Sequence, residues 1–214
     1  GTGHVDALAI SSPDGVSAAF IPEDAGPEDE RAVSEWLADE ARGKALHDAK
    51  GPMLAFWARG WDLRGLADDT AVAAYLVQPG QRSPDLADLC ERYLGRSLKA
   101  GDSGQLDLGL EPGDGLASEA TAIRELSAVL DADIAQRGAT ALLRDVELPL
   151  VGVLAGMERT GIAVDVAGLR TLSEEFGASA RAAEDEAHRI VGRPFNLGSP
   201  KQLQEVLFGE RGLP

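Results

Sequence analysis

Short apolar runs near the start of the chain predict β-strands. Val5–Ile10 and Val16–Ile21 flank Pro13-Asp14-Gly15, a turn that needs the positive φ that glycine tolerates. These two runs therefore predict a hairpin. Two further apolar runs, Lys44–His47 and Leu63–Ala67, predict brief buried strands.

Apolar residues at three- and four-residue spacing predict the helices. Asp69 precedes one such stretch and is expected to cap its helix, and Ser83-Pro84 is expected to open the next helix in the same way. A kink is expected at Pro149, because proline removes one backbone hydrogen bond. The predicted helices cover approximately residues 27–43, 52–57, 70–76, 84–94, 116–136, 139–159, 169–190 and 200–208.

The second half of the chain contains no predicted strand. Residues 96–115 are rich in glycine and are expected to form a loop, and from Leu116 onward the pattern is helical. The longest periodic segment, from Leu169 to Ile190, is typical of a long helix packed antiparallel against a neighbouring helix. We therefore predict an α/β part followed by an all-α part, with a boundary somewhere after this loop.

The charge of the chain is large and uneven. A formal net charge of −16 repels phosphate, and taken alone it argues against binding to nucleic acid. Residues 1–140 contain 25 acidic and 12 basic residues, a net charge of −13, whereas residues 141–214 contain 11 and 8, a net charge of −3. The two parts are therefore expected to have different tasks.

Three polar or reactive features are interpreted as structural. The dipeptide His47-Asp48 has little specificity as a metal site. Asp69, directly before a helix, is expected to act as a cap and not as a ligand beside Asp68. Cys90 is the single cysteine, which excludes an internal disulfide, and it lies on an apolar helix face with no base nearby. No signal peptide or membrane span is predicted.

Three motifs in the last third of the chain occur in the order found in a known family. They are Val146-Glu147-Leu148-Pro149-Leu150, Met157–Asp165 and Phe195–Leu203. Together they closely resemble the start of the polymerase domain in the bacterial DNA polymerase I family, the family A DNA polymerases. The resemblance implies that residues 141–214 form the thumb base, a long antiparallel helical segment that holds the minor-groove side of a primer–template duplex.

The upstream residues resemble the 3′–5′ exonuclease domain of the same family, which implies an α/β ribonuclease H-like fold over residues 1–140. The matching segments are Gly15–Pro22, Leu63–Thr70 and Ala74–Pro79. In the family the first strand carries an Asp-x-Glu motif. The resemblance places that strand before Val5, so it is expected to lie outside this chain or to be missing.

The family's exonuclease positions fall on residues that cannot ligate a metal. An active domain holds two metal ions through several oxygen ligands. The resemblance places the Asp of the second motif on Pro52, and the Tyr and Asp of the third motif on Leu116 and Ala120. A shift of one residue would bring Glu119 near the site, but one carboxylate is too few. We therefore predict no catalytic residue, no metal site and no cofactor in this chain.

The expected DNA contacts lie between Phe195 and Leu203. Ser199 and Gln202 occupy the N-cap and N3 positions of a capping box, and short polar side chains at helix N-termini also contact phosphates. In the family the positions that match Asn196 and Ser199 approach the duplex. Asn196, Ser199, Lys201 and Gln202 are therefore the predicted DNA-binding residues, and capping and binding are compatible.

The resemblance implies part of a DNA-directed DNA polymerase that acts in replication and excision repair, with Mg²⁺ as the cofactor of the parent enzyme. Its expected partners are primer–template DNA and the palm, fingers and thumb tip, without which the chain is not expected to polymerise. A monomeric, cytoplasmic bacterial protein that joins the nucleoid when bound to DNA is implied. Two alternatives stay open: an active metal-dependent 3′–5′ proofreading exonuclease, and a non-catalytic protein-interaction domain that uses its acidic face.

Overall fold

The computed structural model describes residues 4–80, 85–98 and 114–214. The chain divides into two compact units, Gly1–Gly161 and Ile162–Pro214. The first unit combines strands and helices, and the described residues of the second are helical or irregular. The predicted boundary between residues 140 and 141 comes from the family resemblance. The division into compact units falls elsewhere, after Gly161, and does not test that boundary, which stays a prediction.

The first sheet is the predicted hairpin. Strands β1 (Leu8–Ser11) and β2 (Ser17–Phe20) are antiparallel, with Leu8 opposite Phe20 and Ser11 opposite Ser17. The Ser12 N–H donates to the Val16 carbonyl at 2.8 Å. Gly15 has φ +90°, the left-handed conformation that the turn requires. The hairpin prediction is confirmed.

The second sheet is a parallel pair of strands, β3 (Lys44–Leu46) and β4 (Leu66–Asp69). The prediction of β3 is confirmed, but β4 begins later than the predicted Leu63. Gly65 explains the difference: it has φ +66°, and a Cβ there would lie 2.8 Å from the Glu40 carbonyl oxygen. The extended pairing with β3 starts only after this tight approach, and Leu63 is buried in the apolar core instead.

The helices of the first unit follow the predicted order. Asp85 caps α4, while Ser83-Pro84 and residues 99–113 of the expected loop lie outside the described residues. α5 begins at Asp114, two positions before the predicted Leu116. The helices are α1 (Pro27–Ala38), α2 (Lys50–Arg59), α3 (Thr70–Val77), α4 (Leu86–Leu89), α5 (Asp114–Gln136), α6 (Thr140–Leu142) and α7 (Leu148–Thr160).

The helix predicted from Ala139 to Arg159 is interrupted just before Pro149. A π-helical turn, Leu143–Glu147, separates α6 from α7, and Pro149 lies in the first turn of α7. Proline lacks the N–H that a regular helix would need at this position, so the interruption has the expected cause. A second π-helical turn, Cys90–Leu94, extends α4.

Apolar clusters lie on both sides of the sheets. On one side α5 buries Leu126, Leu130 and Ile134 completely, against α3 and the helices around it. On the other side Leu37, Phe56, Trp61, Val151 and Ala155 form a cluster between α1, α2 and α7, to which Leu8 and Phe20 add. The hairpin therefore lies between α5 and the α1–α2 layer.

The second unit consists of a long helix and a shorter one. α8 (Val166–Val191) is capped by Asp165, whose Oδ1 accepts the Gly168 N–H at 2.9 Å. α9 (Pro200–Gln204) continues into a π-helical segment, Glu205–Glu210. The apolar residues Leu169, Leu172, Phe176 and Ile190 of α8 are exposed, so the antiparallel partner predicted for this helix stays a prediction.

Candidate functional site

A large cavity, here called the central cavity, lies in the first unit beside β1 and β3. Its volume is about 1110 Å³. The lining residues are mainly apolar and come from the segments that contain β1 and β3, from α5 and from the opposite α1–α2 layer. Examples are Leu116, Ala120 and Ile123 of α5, and Leu37, Phe56 and Leu63 opposite.

The positions that match the family's catalytic residues meet at this cavity. Pro52 at the start of α2 and Leu116 and Ala120 on α5 all line it, and Glu119 lies beside them. Segments more than 60 residues apart in the sequence are therefore brought to one cavity, with α2 and α5 on opposite sides of it. The exonuclease positions that the family resemblance assigns would have to lie at one site, and the structure brings them to one cavity. The loss of catalysis there stays a prediction.

The donor set of the central cavity does not fit a two-metal centre. Pro52, Leu116 and Ala120 offer no side-chain oxygen, and Glu119 and Asp6 are the carboxylates among the lining residues. Over the described ranges, no group of three His, Cys, Asp or Glu side chains could hold a metal ion. Mg²⁺ at a paired site needs several oxygen ligands in near-octahedral geometry, which these residues do not supply.

His47 and Asp48 hold the backbone in place at the end of β3. The His47 Nδ1 lies 2.9 Å from the Thr70 hydroxyl oxygen. Burial lowers the pKa of His47, and the nearby charge of Asp69 opposes this shift. Asp48 has φ +49° and donates its N–H to an Asp69 oxygen at 3.0 Å. The structural interpretation of this dipeptide is supported by these contacts.

Asp69 caps α3, as predicted, and also binds a second segment that the sequence did not reveal. Its side chain accepts the N–H groups of Ala71 at 3.0 Å and Val72 at 3.4 Å. The same carboxylate accepts those of Asp48 at 3.0 Å and Ala49 at 2.8 Å. Only 1% of Asp69 is exposed. One buried carboxylate thus fixes both the β3–α2 turn and the start of α3.

The neighbouring Asp68 is a buried carboxylate without good partners. It is 3% exposed, and neither carboxylate oxygen has a hydrogen-bond partner of good geometry in the described part of the chain. Burial raises the pKa of Asp68 to about 6, and the nearby Asp131 adds to the rise, while the hydroxyl of Ser127 is close enough to counter part of it. No sequence pattern distinguishes Asp68 from a solvated acid.

A second candidate site comprises the loop between α8 and α9 and the first turn of α9, together called here the α8–α9 loop (residues 192–202). Three polar side chains turn their acceptor oxygens toward the local backbone. Asn196 Oδ1 accepts the Gly198 N–H at 2.9 Å, Gln202 Oε1 accepts the Asn196 N–H at 2.9 Å, and Ser199 Oγ accepts the Gln202 N–H at 3.5 Å. These bonds fix the loop independently of any ligand.

The donor groups of the same side chains are left for another molecule. Asn196, Lys201 and Gln202 are exposed and Ser199 is half-buried. In the described residues, the amide NH₂ groups of Asn196 and Gln202, the Ser199 O–H and the Lys201 ammonium have no hydrogen-bond acceptor. A partner that only accepts hydrogen bonds, such as a phosphate, matches this arrangement.

The capping box predicted for this loop is only half formed. Ser199 is the N-cap of α9 and accepts the N–H of Gln202, as predicted. The Gln202 side chain, however, reaches the N–H of Asn196 and not that of Ser199. The Ser199 N–H instead donates to the Asn196 carbonyl at 3.0 Å, so that donor is already satisfied by a turn.

His188 is a further residue in contact with this loop that sequence reasoning missed. Its Nε2 lies 2.8 Å from the carbonyl oxygen of Phe195, and the two rings meet edge to face with centroids 5.4 Å apart. His188 lies in the last turn of α8. It therefore ties the end of that helix to the residue just before Asn196.

Comparison with known proteins agrees with this architecture. The family model described as DNA polymerase I, ribonuclease H-like domain, matches residues 3–102. DNA polymerase I of Mycobacterium tuberculosis (strain ATCC 25618 / H37Rv) is 45% identical over 220 residues, which covers 99% of this chain and 24% of that protein. DNA polymerase I of Bacillus subtilis (strain 168) is 34% identical over 215 residues, 97% of this chain and 24% of that protein.

A solved structure also matches nearly the whole chain. The POL domain of Pol1 from M. smegmatis, in complex with DNA primer-template and dNTP, matches with a TM-score of 0.82 and 44% identity. The match covers 99% of this chain and 35% of that one. This chain belongs to the DNA polymerase I family. Its fold is the ribonuclease H-like exonuclease domain of that family followed by a helical region.

As a member of the DNA polymerase I family the chain is short. It spans about a quarter of the length of the curated relatives, since it covers 24% of the Mycobacterium tuberculosis protein. The activity of a whole DNA polymerase I is therefore proposed below and is not assigned by the similarity itself. In the described ranges, each helix is too short or too polar to cross a membrane.

Proposed function

We propose that this chain is part of a DNA-directed DNA polymerase that acts in DNA replication and excision repair in the bacterial cytoplasm. The observation that carries the proposal is the 45% identity to DNA polymerase I over 99% of the chain. Mg²⁺ would serve the polymerase centre of the whole protein, outside these residues. The helical region would contact primer–template DNA, and the remaining polymerase domains would be its protein partners.

The exonuclease-like domain would act as a platform without nuclease activity. Pro52, Leu116 and Ala120 supply no metal ligand at the cavity that they line, and hydrolysis by the two-metal route needs such ligands. The platform also anchors the helix that precedes the second unit. Lys50 of α2 forms an ion pair of 2.5 Å with Glu158 near the end of α7.

Incubation with DNA tests the loss of nuclease activity. With this chain and Mg²⁺ or Mn²⁺, a 3′-labelled single strand should be degraded no faster than in EDTA. The matched variant is Glu119→Ala, which removes the one carboxylate on α5 at the cavity. Metal-dependent degradation that disappears in Glu119→Ala would contradict the proposal, because it would assign the activity to this domain.

The α8–α9 loop is proposed to bind the phosphate backbone of the duplex through Asn196, Ser199, Lys201 and Gln202. Its outward donors match phosphate oxygens, which accept hydrogen bonds and carry negative charge. Contacts of this kind fix the position of a protein on DNA without reading the base sequence. We therefore expect binding that depends on the duplex and on salt, but little on sequence.

Two isosteric substitutions test these contacts in the full-length protein. Asn196→Asp and Gln202→Glu keep the inward acceptor oxygen of each side chain and replace the outward donor by a negatively charged oxygen. Each should weaken primer–template binding by about tenfold, because a hydrogen bond to a charged group contributes about 1.5–3 kcal/mol. Fluorescence anisotropy with a labelled primer–template measures the Kd.

The matched control is Gln204→Glu, which makes the same chemical change on α9 at an exposed residue outside the loop. It should change the Kd by less than about twofold, as expected of one added charge under salt screening. Equal losses in Gln204→Glu and Gln202→Glu would show a general effect of charge and would exclude a specific contact.

Lys201→Ala should lower the slope of log Kd against log salt concentration by about one.

A further inference from the structure

A second cavity, here called the α5 groove, is lined by β3, β4, α5 and the segment that leads into α7. Its volume is about 580 Å³. β4 contributes Asp68, and α5 contributes Ser127 and Asp131, which are four residues apart and so share one face of the helix. Two carboxyl groups and a hydroxyl group from segments about 60 residues apart in the sequence therefore meet at this groove.

The carboxyl group of Asp68 faces the two polar residues of α5. Burial raises the pKa of Asp68, the hydroxyl of Ser127 lowers it and the charge of Asp131 raises it further, so both residues lie close to the carboxyl group. Asp68 is nevertheless 3% exposed, and in the described part of the chain neither of its oxygens has a hydrogen-bond partner. Buried charges in proteins are normally paired or bound to a metal ion. Asp68 therefore indicates a ligand from outside these residues.

The basic residues that line the α5 groove do not pair with Asp68. The ammonium group of Lys44 donates to two backbone carbonyl oxygens, at 2.5 and 3.1 Å, and is thereby directed away from the carboxyl group. The Arg144 guanidinium lies 3.9 Å from an Asp131 oxygen, on a side chain that is 59% exposed. This long, solvated ion pair is weak. A ligand with a higher charge density can displace the guanidinium from Asp131.

The chemistry of the groove favours a small divalent cation. Carboxylate and hydroxyl oxygens suit Mg²⁺, Ca²⁺ and Mn²⁺, whereas the described residues of the lining include no His or Cys for softer metals. Mg²⁺ is commonly held by one or two carboxylates and keeps several water ligands, while Ca²⁺ needs more oxygens from the protein. Two carboxylates, one hydroxyl and space for water match Mg²⁺ best.

We propose that the α5 groove binds one Mg²⁺ ion through the carboxylates of Asp68 and Asp131, with the Ser127 hydroxyl as a further ligand and water at the remaining positions. The ion joins β4 to α5 and has a structural role. The positions that match the family's catalytic residues line the central cavity and not this groove. The proposal holds or fails independently of DNA binding by the α8–α9 loop.

Titration of the 214-residue chain with Mn²⁺ tests the proposal, because bound Mn²⁺ loses the sharp electron paramagnetic resonance signal of the free ion. The wild type should bind one Mn²⁺ per chain at this site, and an excess of Mg²⁺ should release it. Asp68→Asn and Asp131→Asn should each weaken binding by at least about tenfold, because the affinity of such sites depends on the number of charged ligands. A wild type that binds no Mn²⁺, or an Asp68→Asn variant with wild-type affinity, would overturn the proposal.

The matched control is Asp133→Asn, which removes the same charge from α5 at a residue outside the groove. It lies two positions from Asp131 and so faces another side of the helix. Its Mn²⁺ affinity should stay within about twofold of the wild type, as expected of a screened distant charge. Equal losses in Asp133→Asn and Asp131→Asn would show a diffuse effect of negative charge and would overturn the proposal.

Two further variants locate the ion and test its competitor. Glu119→Ala changes a carboxylate of the central cavity and should leave Mn²⁺ binding unchanged. Loss of binding in Glu119→Ala but not in Asp68→Asn would place the ion in the central cavity and overturn the proposal. Arg144→Gln should strengthen binding by at least about twofold, because it removes the positive charge that competes for Asp131. Unchanged or weaker binding in Arg144→Gln would overturn the assignment of Asp131 as a ligand.

Discussion

Replacement of Asp69 by alanine is expected to lower the free energy of unfolding of the first unit by about 3–5 kcal/mol. Each buried hydrogen bond to a charged group contributes about 1.5–3 kcal/mol, and these contributions are not fully additive. The Asp69 carboxylate accepts four backbone N–H groups, those of Asp48, Ala49, Ala71 and Val72. It is 1% exposed, so water cannot replace these bonds without local opening. Urea unfolding followed by circular dichroism measures the loss.

Asp85→Ala is the matched control for this prediction. Asp85 caps α4 through one bond, its Oδ1 accepting the Ala87 N–H at 2.8 Å, at an exposed position. Loss of a single exposed cap should cost about 1 kcal/mol. Asp69→Asn, which keeps one acceptor oxygen, should fall between the two variants. A loss in Asp69→Ala no larger than that in Asp85→Ala would show that the bonds to Asp48 and Ala49 contribute nothing.

The two roles of Asp69 show which part of the fold could be predicted from the sequence. Its cap on α3 is local, since the acceptor and the N–H groups are two and three residues apart. Its bonds to Asp48 and Ala49 cross 21 and 20 residues. No periodicity or capping rule places those two segments together. The start of β4 was missed for a similar reason, because it depends on the approach of Gly65 to the Glu40 carbonyl.

The candidate sites show the same difference between local features, which the sequence predicts, and contacts between distant segments, which it does not. The resemblance indicated Pro52, Leu116 and Ala120 one by one, and only the structure shows that all three line one cavity. In the α8–α9 loop the sequence identified the polar residues and the Ser199 cap. It could not show that Gln202 reaches Asn196, because the choice between two N–H groups depends on the turn that precedes the helix. His188 gave no pattern at all, since its contact with Phe195 forms only once α8 ends.

Replacement of Asp68 by valine is expected to stabilise the first unit, and to do so only above about pH 4. Burial raises the pKa of Asp68 from the ordinary 3.8 to about 6. The folded state therefore holds its proton more tightly than the unfolded state. As the pH rises from about 4 to above 6, the wild type loses stability, because the unfolded state gives up this proton first. The difference between the two pKa values corresponds to roughly 3 kcal/mol once the carboxyl is ionised in both states.

The quantity to measure is the free energy of unfolding of Asp68→Val minus that of the wild type, at several pH values between about 4 and 8. Near pH 4 the difference should reflect packing alone. It should grow with pH and level off above about pH 7, with a total change of roughly 3 kcal/mol at most. Ala67→Val, which introduces the same β-branched side chain at the adjacent exposed position of β4, should give a difference that does not vary with pH. If Asp68→Val also gives a difference that is flat with pH, the carboxyl of Asp68 has a partner in solution, and the nearby hydroxyl of Ser127 is the group that should then be replaced next.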